Sequence, residues 1–149
     1  MNIGVAGQFE LHVYDETGEL REHRPMQPNL ITDTGLIVLM LGRSLIQCIL
    51  GGGDSEPQKA DTKLTTPLAN ITYERPGAVS PGALYDKDGQ YYSYNSALFR
   101  ARNTGTATAT VKELGLQWVG GGLLATHALI TRGGILAPIT LQPGWYLDV

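Results

Sequence analysis

The sequence is poor in charge, in sulfur and in long apolar runs. Asp, Glu, Lys and Arg supply only 17% of its 149 residues, against roughly 25% in an ordinary soluble domain. A monomer usually covers itself with Lys and Glu, so the deficit implies a surface that a partner covers. The formal net charge is -3 and no Lys/Arg run occurs. This argues against nucleic acid as a ligand, because affinity for phosphate backbones rests on clustered cations. Cys48 is the one cysteine. It has no thiol to bridge with and none to share a metal with, which fits a reducing compartment and a role as a small buried hydrophobe. The longest apolar run, Leu36 to Leu41, falls far short of the about 20 residues a spanning helix needs. The start Met1-Asn2-Ile3-Gly4-Val5 has no basic-then-apolar leader character. The expectation is a protein made and kept in solution, without a membrane partner.

What the chain does have is turns. Its nineteen glycines and eight prolines exceed the roughly 12% share of average usage, and they punctuate short apolar stretches. From Gln8 to Tyr14, Phe9, Leu11 and Val13 alternate with Glu10, His12 and Tyr14. Asp15 to Glu19 then offers turn chemistry before an extended run from Leu20 to Arg24, so a β-hairpin is expected. Pro25 and Pro28 should interrupt regular structure. Thr32 or Asp33 can cap a short helix over Thr34–Leu41, with a strand as the rival reading. Being apolar all round, that helix should be buried on most faces, with Gly42 as its stop. Ser44–Leu50 reads as a buried strand, Gly51-Gly52-Gly53-Asp54 as a turn, and Ser55–Lys63 as a flexible surface loop. Between Thr65 and Asp88, Pro67, Pro76 and Pro81 leave room for short strands only, Ala69–Tyr73 being the best. Further strands are expected at Tyr91–Arg102, Thr106–Val111, Leu114–Val119, Leu123–Ile130 and Ile139–Val149. Spacing of this kind means a sandwich or barrel. The fold class is mainly β: an antiparallel β-sandwich or jelly-roll-like domain with an N-terminal hairpin and one short helix. One domain spans 1–149, with 1–28 a hairpin or arm available for assembly.

Each group that could carry chemistry has a plainer reading beside it. His12, His23 and His127 lie in separate expected strands without metal-ligand spacing, so no metal site is expected. His127 stands on an apolar strand with no nucleophile marked near it, and reads as a hydrogen-bonded or solvent-facing strand residue. The Gly51–Gly53 run resembles a phosphate cradle, but no Gly-Lys-Ser/Thr follows, so it reads as a turn. Asp86 and Asp88 around Lys87 read as exposed turn carboxylates rather than a calcium site. Glu74, Asp86, Asp88 and Glu113 offer carboxylates to a polysaccharide hydrolase, but no motif pairs them. Trp118 and Trp145 suit core positions, and Leu114, Leu116 and Trp118 share one strand face. Tyr91, Tyr92 and Tyr94 divide between interface, core and stacking on a sugar. No catalytic residue and no cofactor is expected. Phe9, Leu11, Val13, Tyr91, Tyr92, Tyr94, Trp145 and Tyr146 are the candidate interface residues.

Several stretches together carry a resemblance: Asn29-Leu-Ile-Thr-Asp-Thr-Gly-Leu36, then Asp61-Thr62-Lys63-Leu64 after a glycine-rich loop, then Val111-Lys-Glu-Leu-Gly-Leu116. Ala128-Leu-Ile-Thr-Arg132 and Ile139-Thr-Leu-Gln-Pro-Gly144 extend it. From Asn29 onward the chain resembles a family of small tailed-bacteriophage virion proteins encoded among tail, fibre and baseplate genes. Where the family pattern has an arginine before Ala128-Leu-Ile130, this chain has His127. The resemblance implies a non-enzymatic virion subunit, made in the host bacterial cytoplasm, whose partners are copies of itself and other virion proteins. Because the chain ends just after its last strand, an adaptor or decoration subunit is expected over a receptor-binding tip, and the leading expectation is a subunit of the tail, collar or fibre-attachment region. A capsid decoration protein and a host-surface carbohydrate-binding module are the alternatives.

Overall fold

A computed structural model describes residues 5–41, 47–76, 80–81, 85–87, 90–92, 95–118 and 122–149, the side chains of 39, 40, 80, 81, 85–87, 90–92 and 95 excepted. In chain order the elements are β1 (Gly7–Tyr14), β2 (Leu20–Ile31), α1 (Asp33–Met40), β3 (Gln47–Gly51), β4 (Ile71–Glu74), β5 (Ser80–Pro81), β6 (Tyr85–Lys87), β7 (Gln90–Tyr92), β8 (Asn95–Ser96) and β9 (Arg100–Asn103). They continue with β10 (Ala109–Val111), β11 (Glu113–Trp118), β12 (Leu123–Leu124), β13 (Thr126–Leu129), β14 (Thr131–Arg132), β15 (Ile135–Leu136), β16 (Ile139–Leu141) and β17 (Tyr146–Asp148). The fold is mainly β and antiparallel, with one short helix.

One nine-stranded sheet dominates. Its order is β12-β11-β13-β2-β1-β17-β9-β4, with β3 on the other edge of β11. The sheet curls until its two ends meet: the Leu50 N–H on β3 donates to the Tyr73 hydroxyl on β4 at 3.1 Å, and the fold is nearly closed. Strand alternation decides what lies inside. Phe9, Leu11 and Val13 from β1, Leu147 from β17 and Ala101 from β9 point inward and meet Leu50, Leu114, Ala128 and Ile130, with Val111, Ile139 and Leu141 from the β10–β16 ribbon. Cys48 belongs to this core, and burial pushes its thiol pKa up to about 12.

The hairpin forms as expected and lies in the middle of the sheet, not on a detached arm. Asp15 closes its turn by accepting the Thr17 and Glu19 N–H groups at 2.8 and 3.0 Å and the Arg21 guanidinium at 2.6 Å. The expected break at Pro25 and Pro28 does not occur, since β2 runs through both. The register slips by one residue between the pairs Phe9↔Gln27 and Leu11↔Arg24. Pro25 therefore falls in a bulge, where the ladder is interrupted in any case. Pro28 precedes the point at which β13 joins at Leu30, so the second edge of β2 is not yet in demand.

Thr32 is the cap of α1: its Oγ1 accepts the Gly35 N–H at 3.0 Å and donates to the Leu124 carbonyl at 2.6 Å. The helix thereby docks on the chain just before β13. The docking is close, because a Cβ on Gly35 would stand 2.0 Å from the Ala125 carbonyl oxygen. The expectation that α1 is buried on most faces is corrected. Val38 is buried, but Leu36, Ile37 and Leu41 are 39%, 58% and 65% exposed, because one face alone meets the sheet. The expected stop, Gly42, lies outside the described residues.

Close approach of this kind is testable. A Cβ on Gly115 would lie 2.4 Å from the Thr126 carbonyl oxygen, whereas one on Gly52 would meet nothing nearer than 3.5 Å. Gly35→Ala and Gly115→Ala should each lower the unfolding free energy by about 1–3 kcal/mol, the usual cost of forcing atoms into a packed interior. In urea titrations followed by circular dichroism, Gly52→Ala should move the midpoint much less than either.

Candidate functional site

The most concentrated chemistry in the molecule is a buried chain of three titratable side chains. Glu113 opens β11, placed opposite Leu129 on β13 and Gly51 on β3. Its side chain is 0% exposed. A carboxylate so placed needs a donor for nearly every lone pair, and the backbone supplies them. The N–H groups of Gly53 and Thr66 donate to Oε1 at 3.1 and 2.8 Å, and that of Thr65 donates to Oε2 at 3.2 Å. The glycines make this approach possible: a Cβ on Gly51 or Gly53 would lie 2.4 or 2.6 Å from Glu113 Oε1. The run that reads as a free turn in the sequence is thus part of an anion cradle, and its anion is the chain's own Glu113.

His127 on β13 completes the site. Its Nε2 is 2.8 Å from Glu113 Oε2 and its Nδ1 is 2.7 Å from Asp61 Oδ2. With a carboxylate on each side, only a ring protonated on both nitrogens donates to both. Asp61 also accepts the Gln58 N–H at 2.8 Å. Burial works against the charge on Glu113, but the N–H groups of Thr66 and Thr65, His127 and Gly53 outweigh it and hold its carboxyl below the usual range. Burial likewise opposes the Asp61 charge, and the Gln58 N–H with His127 overcomes it, so its carboxyl also lies below the usual range. Both carboxylates are thereby kept ionised.

This arrangement suits holding better than turnover. His127 is 1% exposed and Asp61 27%, and among the described residues both ring nitrogens are committed to carboxylates, with no hydroxyl or thiol in the chain of hydrogen bonds. The site ties four segments together: the Gly51–Gly53 strap, the 58–66 loop, β11 and β13. Asp33 N–H donates to the Lys59 carbonyl at 2.8 Å and Leu124 N–H to the Thr62 carbonyl at 3.0 Å. The loop expected to be flexible is therefore pinned at Lys59, Asp61, Thr62 and the buried Leu64.

The expected interface residues scatter. Phe9, Leu11 and Val13 are buried in the chain's own core, which corrects their assignment to an interface: they occupy the inward side of β1. Trp145 packs half-buried against that core. Tyr146 lies on the outer face, stacked on Tyr14 at 5.0 Å with the Arg100 and Arg102 guanidinium groups 4.3 and 4.7 Å from its ring centre. Tyr94 and Asp88 lie outside the described residues, as do the side chains of Tyr91, Tyr92 and Asp86. Glu74 is exposed on β4, on a different strand and face from the buried Glu113, so no facing pair of carboxylates forms from these two. The spacing argument against a metal site is overtaken for two histidines, because the hairpin register sets His12 opposite His23. Sequence reasoning missed the Glu113–His127–Asp61 chain. Its available signal was a lone acid and a lone histidine on two apolar strands near a glycine run. Compared with protein-family models, curated proteins and solved structures, the chain matches none.

Breaking a buried pair from one side typically costs about 3–5 kcal/mol. Glu113→Gln and His127→Ala should each lose stability on that scale in denaturant titrations. His127→Arg, which keeps hydrogen-bond donors between the two carboxylates, should lose less than His127→Ala. Acid should act through the same site. Glu113 and Asp61 are depressed in the folded state, so their contribution is complete above the ordinary carboxylate values and is lost as pH falls through the folded ones. A pH series of unfolding curves should show that acid limb, and it should be flatter in Glu113→Gln.

Proposed function

We propose that this chain is a non-enzymatic structural subunit of a tailed-bacteriophage virion, in the tail, collar or fibre-attachment region, working by association with copies of itself and with other virion proteins. The observation that carries the assembly part is the outward face of α1. Leu36, Ile37 and Leu41 are open to solvent there, Leu36 shares a shallow groove with the exposed Val5 and with Leu30 and Ile31, and β12, with its exposed Leu123, packs beside the helix. Burying one such side chain gains about 1.5–3 kcal/mol, so a contact over several of them suffices for a specific interface.

The occupant we assign to this face is a second copy of the chain. A low share of charged residues and apolar side chains gathered around one helix suit a self-complementary contact. The buried cluster supports the non-enzymatic part, since its ionised groups are spent on backbone N–H groups and on each other. The virion assignment rests on the short motifs from Asn29 onward. Four of these five segments meet in space around α1 and the cluster: Thr32 and Asp33, Asp61, Glu113 and Gly115 and the strand of Ala128 are neighbours through the contacts above. A host-glycan reading draws on the outer-face Tyr14–Tyr146 stack with its two arginines, since aromatic faces with adjacent donors suit sugars.

Sedimentation velocity on the purified chain, from micromolar to near-millimolar concentration, should show a discrete oligomer. Ile37→Asp combined with Leu41→Asp should return it to monomer with the circular dichroism spectrum unchanged. A wild-type chain that stays monomeric throughout contradicts the proposal. Antibody labelling of intact particles should mark the tail or collar, whereas label spread over the head would select capsid decoration. Glycan-array binding lost in Tyr146→Ala would select the carbohydrate-binding reading.

A further inference from the structure

The outer face of the hairpin carries a second cluster, unrelated to the buried one and independent of the virion reading. Strand alternation turns Glu10 and His12 to the same side of β1, two residues apart, and the β1–β2 register sets His23 directly opposite His12. The two imidazole rings stack with centres 4.6 Å apart. His23 Nε2 lies 2.6 Å from Glu10 Oε1, with those side chains 45% and 41% exposed. One ligand atom from each of the three residues lies within 4.8 Å of the others. Among the described residues neither ring nitrogen of His12 has a hydrogen-bond partner. On the neighbouring strand Asp148 stands opposite His12, but its carboxylate is taken by Arg100 through two bonds of 2.7 Å.

We propose that Glu10, His12 and His23 form a surface site for a divalent zinc-class ion, with one coordination position open to solvent. Two imidazoles and a carboxylate are a ligand set that suits zinc and its late-transition neighbours and ill suits magnesium or calcium, which ask for oxygen. The geometry is close to what is needed. Tetrahedral bonds of about 2.0–2.1 Å set ligand atoms about 3.4 Å apart. The His23–Glu10 pair opens by under about 1 Å and His12 closes by at most about 1.5 Å, distances that side-chain rotation covers. The backbone is already fixed, since both strands lie in the middle of the sheet and β1 buries its other face in the core. Binding replaces the His23–Glu10 hydrogen bond with a bond from each to the ion and bridges the two stacked imidazoles. The half-exposed side chains leave the ion an entry path from solvent, and the open position takes water.

The test uses the full-length, untagged chain, stripped with chelator and titrated with Zn2+ by calorimetry and with Co2+ by visible absorption. The expected result is one ion per chain, saturating in the micromolar range, with Co2+ bands in the ligand-field region. His12→Ala and His23→Ala should each weaken binding at least about tenfold, and Glu10→Gln should weaken it measurably, with unfolding curves that stay cooperative. Should an alanine variant fail to fold, His12→Gln and His23→Gln, which retain a polar side chain of similar reach, carry the same comparison. Absence of saturable binding, or binding that survives both histidine substitutions, overturns the proposal.

Discussion

The fold depends on one buried hydrogen-bonded interaction, the histidine of β13 held between the carboxylates of Glu113 and Asp61. A carboxylate with no exposure is a liability unless every acceptor is filled. Here the filling does the organising. Three backbone donors from two separate segments converge on Glu113, which forces the Gly51–Gly53 strap and the 64–66 stretch against β11. Asp61 extends the same interaction into a loop that has no strand to hold it. An apolar residue of similar size at position 113 would fill the space but take away the carboxylate that accepts three N–H groups, the buried one of Gly53 among them.

The short segments from Asn29 onward take part in the same scaffold. Thr32 caps α1 and binds the Leu124 carbonyl, Gly35 and Gly115 admit backbone oxygens, and Asp61 and Glu113 hold the His127 ring between them. His127 meets both acids with its two opposed ring nitrogens. The scaffold so held presents two outward features, the bare side of α1 and the polar outer face of the hairpin. Neither is needed to keep the interior closed.

Much of the fold was legible in the sequence because it followed from local rules. Alternation over Gln8–Tyr14 and the Asp15–Glu19 turn specified the hairpin, Thr32 capped the helix, and Cys48 behaved as a small hydrophobe. The failures were non-local. Whether β2 survives Pro25 depended on a bulge against β1, and whether α1 is covered depended on how much of the sheet reaches it. The three cluster residues are separated by 66 and 14 positions, so nothing in spacing joined them. Only strand register places Glu113 beside Gly51 and beside the strand of His127. The pairing of His12 with His23 has the same origin, since it follows from hairpin register and not from any ligand motif. The burial of Phe9, Leu11 and Val13 is local in origin, since alternation makes one side of β1 wholly apolar.

Amide hydrogen exchange tests the central claim most directly. Gly53, Thr65 and Thr66 lie outside the strands, where backbone N–H groups ordinarily exchange fast. If they are bound to a buried carboxylate held by His127, their protection should approach that of core-strand amides such as Leu50. Exchange of all three at the rate of open loop amides would contradict the account.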